Sequence, residues 1–301
     1  MSPSPAGAPA EPIRVAAAAK LNLYLHALGR RADGYHLLDS LVAFASVHDT
    51  IEVQRADRLS LALDGPNAAA LGDARDNLVL RAAERLAARA GIPPRAAIRL
   101  TKRLPVASGI GGGSADAAAT LRALMRLWKL DLDAGTLASI ALELGADVPM
   151  CLLGRAAFAG GVGADLTPVA ALPEAGLLLV NPGIGLSTAS VFKTRAGAFS
   201  KPARFEAMAR DAAGLAALLA ERRNDLEAPA RTLCPEVGAV LEALRAAPGA
   251  RLARMSGSGA TCFALFDDED RARRAAPVLA RPGWWIAPAR LLSETATLAP
   301  D

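Results

Sequence analysis

Cysteine is scarce. Cys151, Cys234 and Cys262 are the three in 301 residues, and their spacing forms neither a metal-ligand pattern nor an even disulfide framework. This excludes a disulfide-stapled fold and a structural zinc centre as organising features, and it points to a reduced, cytoplasmic protein. Long hydrophobic runs are missing as well. The longest uncharged stretch, Ala175 to Phe192, is broken by Asn181, Pro182, Gly183, Gly185, Ser187, Thr188 and Ser190, so no membrane partner is expected. Aromatic residues make up only 4%, and the basic residues are scattered rather than clustered with them. With a net charge of just +4, no nucleic-acid footprint is expected. Lysine occurs only at positions 20, 102, 129, 193 and 201 against very abundant alanine, a codon bias that makes each lysine worth inspecting.

A chain of 301 residues exceeds the usual single-domain size, so two domains are expected. The Gly- and Pro-rich stretch from Gly160 to Pro173 marks the boundary, giving 14–165 and 166–301. The Pro/Ala-rich start lacks a basic segment leading into an apolar core, so residues 1–13 read as a disordered tail rather than a secretory signal.

The richest segment runs from Pro105 to Ala119. Alternation over Ala97 to Thr101 predicts a strand, four glycines follow at Gly109, Gly111, Gly112 and Gly113, and Leu121, Leu124, Met125 and Trp128 then fall at helical spacing, with Ser114 expected as the helix cap. Glycines at a strand-to-helix junction let backbone N–H groups approach an anion, and the helix end beyond adds its positive dipole. No Gly-Lys-Ser/Thr closes the loop, which excludes a Walker A motif. The acidic residue of a dinucleotide fingerprint is also misplaced, because Asp131 follows a helix rather than a strand.

Other segments carry weaker signals. From Lys20 to His26 strict alternation predicts a strand with Leu21, Leu23 and Leu25 on one side and Lys20, Asn22, Tyr24 and His26 on the other; periodicity alone leaves open whether that polar side meets water or a ligand. Asp33-Gly34 predicts a turn before Tyr35 and His36. Helices are expected over Asn77 to Ala90, ended by Gly91, over Leu132 to Leu144, ended by Gly145, and across Ala203 to Arg222. Asp147 precedes an apolar stretch, Met150 to Leu153, read as a strand, and Leu177 to Val180 reads as another. Ser256-Gly-Ser-Gly259-Ala-Thr261 is a second glycine-rich loop, which suggests a ligand held between domains.

Taken in order, Lys20-Leu-Asn22-Leu, Asp33-Gly34-Tyr35-His36, the loop from Pro105 to Ala119, Leu144-Gly-Ala-Asp147-Val-Pro149, Asn224-Asp-Leu-Glu227 and Ser256-Gly-Ser-Gly-Ala260 resemble the GHMP kinase superfamily, from about residue 14 to 290. The resemblance implies an α+β fold in two domains: an N-terminal ribosomal-protein-S5-domain-2-like mixed sheet with helices and a C-terminal ferredoxin-like α/β sandwich.

It also implies an ATP-dependent kinase whose acceptor is the 2-hydroxyl of 4-CDP-2-C-methyl-D-erythritol, in non-mevalonate isoprenoid precursor synthesis. Asp147 then matches the catalytic base and Lys20 the catalytic lysine. ATP is expected along Pro105, Ser108, Gly109, Ile110, Gly111, Gly112, Gly113 and Ser114, with Asn77 and Lys102 near the adenosine. On the acceptor side, Tyr35 and Phe192 match an aromatic pair that sandwiches the cytosine, His36 the residue reading its edge, and Asn22 and Thr188 neighbours of the methylerythritol. Mg²⁺ is expected with its ligands unassigned, Ser114 being one candidate, and the oligomeric state, monomer or homodimer, is left open. Two positions depart from the family pattern: Val42 stands where some relatives carry an aromatic, and Ala115 replaces a second loop serine. The rival readings are a homoserine- or mevalonate-type kinase and a catalytically silent nucleotide-binding regulator of the same fold.

Overall fold

Two long strands organise the N-terminal half. β1 (Ile13–Arg30) and β2 (His36–Gln54) pair antiparallel along almost their whole length. Gly34 has φ +91° in their turn, and the Asp33 carboxylate accepts from the Tyr35 N–H at 3.2 Å. Glycine takes that left-handed backbone without the Cβ clash other residues meet. The computed structural model describes residues 11–72 and 77–300; most of the expected tail lies outside them, and Ile13 already begins β1.

The other edge of β2 is shared among several partners. β3 (Ser60–Asp64) runs parallel to β4 (Ala97–Thr101), and β4 pairs with β2 at Thr50–Gln54. β5 (Ala157–Gly161) pairs with β2 at Leu38–Val42 and carries β6 (Asp165–Pro168) on its far side, so 166–168 stay with the N-terminal sheet. Helices α1 (Leu78–Ala90), α2 (Gly112–Trp128), α3 (Ala134–Leu144) and α4 (Val148–Leu153) build a core with this sheet. Asn77 caps α1 by accepting from the Val79 N–H at 2.9 Å, and Asp133 caps α3. Ala115, Ala117, Ala118 and Ala119 of α2 are buried with Ala17 and Ala18 of β1, so the abundant alanine includes small residues at a close helix–sheet contact.

The C-terminal half has its own logic. β7 (Gly176–Asn181) leads through α5 (Thr188–Thr194), α6 (Ala212–Ala220), α7 (Glu227–Leu233) and α8 (Glu236–Ala246) to β8 (Leu252–Met255) and β9 (Cys262–Phe266), and then through α9 (Glu269–Ala275) to β10 (Trp285–Leu292). The spatial order β10-β7-β9-β8, antiparallel throughout, is the split β-α-β arrangement of ferredoxin-like folds. β10 also touches β2 at Phe44 and Ala45, so the two sheets are continuous. A second core joins Leu21 and Leu23 of β1 to Leu177, Leu179, Phe263 and Leu265.

Three local expectations change. Met150 to Leu153 is helical, not extended: Pro149 sits in the first turn of α4, a position proline favours, and a four-residue apolar run has no period to distinguish the two. Helix over Ala203 to Arg222 shrinks to α6, which starts where Asp211 accepts from the Gly214 N–H at 2.7 Å. Ser114 does not cap α2: Gly111, at φ +63°, occupies the cap position and Ser114 is the helix's third residue.

Candidate active site

β1 supplies the first functional side chains. The Lys20 ammonium donates to Oδ1 of Asn22 and to Oδ2 of Asp147, each at 3.0 Å. Asn22 donates through Nδ2 to Ser40 Oγ at 2.8 Å, and Ser40 donates to the Tyr24 carbonyl at 2.5 Å. The pair is asymmetric, with the Lys20 side chain 5% and the Asp147 side chain 50% exposed. Asp147 occupies the cap position of α4 yet makes no capping bond, so its carboxylate is turned to Lys20 instead. Of the expected polar side, Lys20 and Asn22 meet this site; a register break between Asn22 and Tyr24 turns Tyr24 into the core, where its hydroxyl donates to Asp39 at 3.1 Å, and brings Leu25 to the cavity instead.

The glycine loop lies directly against this lysine. The Lys20 N–H donates to the Ile110 carbonyl at 2.9 Å, and a Cβ on Gly111 would stand 3.2 Å from the Lys20 stem. Ile110 is fully buried and pins the loop, while Ala107, Gly109 and Gly111 take positive φ. Ser108 Oγ donates to the Pro105 carbonyl at 2.7 Å. No side chain caps the first turn of α2, and Gly111, Gly112, Gly113 and Ser114 line a cavity, leaving N–H groups and a positive helix end for an anion.

The second glycine-rich loop buttresses the first. Ser256 Oγ accepts from the Asn22 N–H at 3.1 Å and donates to the Gly109 carbonyl at 3.0 Å, while the Thr261 N–H donates to the Ser108 carbonyl at 3.0 Å. Asn224 holds the second loop through Nδ2, which donates to the carbonyls of Met255 and Gly257 at 2.8 Å. Backbone meets backbone here: a Cβ on Gly109 would fall 2.6 Å from the Gly259 carbonyl oxygen. Gly257 and Ser258 also reach the cavity, and Thr188 Oγ1 lies 2.9 Å from Ser258 Oγ.

His36, not Tyr35, stacks on Phe192, with ring centroids 4.8 Å apart and planes at 28°. Tyr35 is 64% exposed in the turn, because neighbouring residues of an extended segment point to opposite sides. Phe199 lies 6.3 Å from His36, and the Arg195 guanidinium stands 4.6 Å over Phe199. Burial first, then the charges of Arg30 and Arg195, lower the His36 pKa, which favours a neutral imidazole.

Two expected adenosine neighbours are otherwise engaged. The Asn77 side-chain oxygen caps α1, and Asn77 does not line the cavity. Lys102 is 1% exposed and its ammonium donates to Oδ2 of Asp49 at 2.5 Å and of Asp116 at 2.7 Å. Its ammonium is thus taken up by two carboxylates, although the residue still lines the cavity.

The cavity measures about 550 Å³ and is lined from both halves. It gathers Lys20, Asn22, Lys102, Pro105, Ser108, Gly109, Gly111, Gly112, Gly113, Ser114, Asp147, Thr188 and Phe192, but not Asn77, Ile110, Tyr35 or His36. Val42 forms part of the wall, and Ala115 is buried in the helix. Ser40, Gly257 and Ser258 are cavity residues that sequence reasoning missed, though Gly257 and Ser258 lie in a segment whose glycines had flagged it. Among the described residues no helix is long and apolar enough to cross a membrane, and no group of three or more His, Cys, Asp or Glu is placed to hold a metal.

Comparison with known proteins adds the following. The model of the GHMP kinases N terminal domain matches residues 77–155, and that of the GHMP kinases C terminal region matches 205–283. The chain is 56% identical over 281 residues to a 4-diphosphocytidyl-2-C-methyl-D-erythritol kinase of Paramagnetospirillum magneticum, covering 93% of this chain and 98% of the relative. A protein of the same description from Rhodospirillum rubrum is 53% identical over 289 residues, 95% of each. Among solved structures, a 4-(cytidine 5'-diphospho)-2C-methyl-D-erythritol kinase superposes with a TM-score of 0.74 at 38% identity, over 93% of this chain and 99% of that one. A homoserine kinase from Cytophaga hutchinsonii reaches 0.69 at 18% identity over 98% of each, a likeness of fold alone.

Proposed function

The chain belongs to the GHMP kinases and, within them, to the 4-diphosphocytidyl-2-C-methyl-D-erythritol kinases, and from that membership we propose how its residues phosphorylate the 2-hydroxyl of 4-CDP-2-C-methyl-D-erythritol. It is an ATP-dependent phosphotransferase acting on an alcohol. The geometric observation that carries the assignment of roles is the Lys20–Asp147 pair, set at the cavity between the glycine loop and the end of α5 that bears Phe192.

Phosphoryl transfer passes through a loose transition state, so the enzyme chiefly aligns the reactants and stabilises charge. Backbone N–H groups from Gly109 to Ser114, at the start of α2, take the phosphates of ATP. The half-exposed Asp147 carboxylate accepts the proton of the 2-hydroxyl as the oxygen bonds to the γ-phosphorus and the bridge to the β-phosphate breaks, releasing ADP. Lys20 orients Asp147 and offsets charge on the moving group. Mg²⁺ commonly rests on phosphate oxygens with one or two protein ligands; the Ser114 hydroxyl, in the cavity at the start of α2, would be one, and the ion would supply further charge neutralisation.

On the acceptor side, Asn22 and Thr188 are assigned to the hydroxyls of the methylerythritol, an assignment supported by their position in the cavity beside Lys20 and Ser258. The cytosine belongs against Phe192, with Tyr35 closing from the turn and His36 leaving the Phe192 face to read the base edge. The ATP-binding and catalytic half, expected over 14–165, runs on through β6 to Pro168, and the C-terminal half follows it. Three free, buried cysteines fit a reducing cytoplasm.

The decisive test is an ATP-consumption assay offering 4-CDP-2-C-methyl-D-erythritol, homoserine and mevalonate in parallel. Turnover of the cytidylyl substrate alone is expected; preference for another acceptor, or none, overturns the reading.

A further inference from the structure

One ion cluster under the glycine loop has no part in the chemistry above. Lys102 follows β4, Asp49 lies in β2 and Asp116 in the first turns of α2. All three are nearly inaccessible, and the Lys102 ammonium donates to both carboxylates, at 2.5 and 2.7 Å. The other oxygen of Asp49 accepts from the Arg103 and Leu104 N–H groups at 2.6 and 2.8 Å, where the chain enters the loop. At the loop's exit the backbone passes directly over the ammonium: a Cβ on Gly112 would stand 3.1 Å from Lys102 Nζ and 3.8 Å from Asp49 Oδ2. Any side chain there would press on the ammonium, which glycine spares it.

A lone ammonium beneath a helix N-terminus opposes the positive end of the helix dipole. Asp49 offsets that conflict, and Asp116, which belongs to the helix itself, takes the ammonium's other hydrogen bond while burial raises its carboxyl above the usual range. The cluster therefore ties the entry of the loop, through Asp49, to its exit, through Asp116 and Gly112.

We propose that Lys102, Asp49 and Asp116 are positioning residues that hold the glycine loop in the shape its phosphate ligand needs, Lys102 acting from below the loop and not on the adenosine. This rests on the kinase reading. It predicts a split by ligand: losing the brace weakens nucleotides that carry a polyphosphate and spares the nucleoside. A direct contact of Lys102 with the adenosine weakens both alike.

The test is titration of ADP and of adenosine into wild-type protein, Lys102→Met and Gly112→Ala. Gly112→Ala removes no charge, and its added methyl points at the ammonium, so it remains informative if Lys102→Met does not fold. In each folded variant the ADP dissociation constant is expected to rise roughly tenfold or more, the scale of one charge-assisted hydrogen bond, with adenosine changed less than twofold. Equal losses for ADP and adenosine, or unchanged ADP binding in Gly112→Ala, overturn the brace. Failure of wild-type protein to bind ADP at all overturns the kinase reading instead, so the two failures are distinct.

Discussion

Nζ of Lys20 lies 3.0 Å from Oδ2 of Asp147, although the two residues stand 127 positions apart. The strand supplies a buried cation and the cap position of a short helix supplies a half-exposed carboxylate, so one partner is fixed while the other can face an incoming hydroxyl.

If Asp147 takes the acceptor's proton, Asp147→Ala lowers turnover by at least ~100-fold, the lower end of what general bases contribute. ADP affinity, measured by titration, stays near normal because the loop is intact. Near-wild-type turnover in this variant removes Asp147 from the base role.

The stack of His36 on Phe192 bears on acceptor recognition. Phe192→Ala is expected to raise KM for the cytidylyl substrate roughly 5- to 150-fold, the range base–aromatic stacking supplies, with KM for ATP nearly unchanged. Tyr35→Ala is expected to show the same selectivity, since the exposed ring can close on a base only when one is bound. Steady-state kinetics with each substrate varied decides this, and equal loss toward both substrates rules out the sandwich.

Much of this architecture is legible in the sequence where caps and periodicity agree. Gly91 ends α1 and Gly145 ends α3 as expected, while the caps Asn77 and Asp133 emerge only in the structure, and the alternation from Lys20 places it beside Asn22. What was not legible depends on distant partners. Nothing local to Lys102 announces that Asp49, 53 residues earlier, will neutralise it, and nothing local to Ser40 announces Asn22. The second glycine loop was visible, but its role as a buttress appears only once Ser256 and Gly109 meet across 147 residues.

That buttress makes a stability prediction. Gly109 combines φ +76° with backbone atoms of Gly259 and Ser256 within 2.7 Å of an added Cβ, so alanine there brings both dihedral strain and overpacking. Gly91, at φ +66° with nothing within 4 Å, brings the strain alone. Gly109→Ala should lose at least about 2 kcal/mol and lower Tm by roughly 4 °C or more, against about 1 kcal/mol for Gly91→Ala. Thermal unfolding of both variants compares them directly; equal losses would mean that the close approach of the two loops carries no stability.

Alkaline pH offers a separate probe of the core behind the site. Burial first, and the nearby Asp147 charge second, push the Cys151 thiol from 9.0 up to about 12, with Lys20 and Arg122 opposing. The folded chain holds this proton more tightly than the unfolded one, so the associated stability is complete below pH 9 and is lost as pH climbs from 9 toward 12. Cys262 and Tyr24, both raised by burial, act in the same direction. Replacing Cys151 with alanine removes one of these contributions and costs about 1 kcal/mol of packing at every pH. Urea unfolding at pH 7.5 and 10.5 should therefore show a smaller drop in the variant than in wild type, by about 2 kcal/mol, the linkage of one thiol titrating over that window. Identical drops in the two proteins would mean that the Cys151 thiol ionises as readily in the folded chain as in the unfolded one.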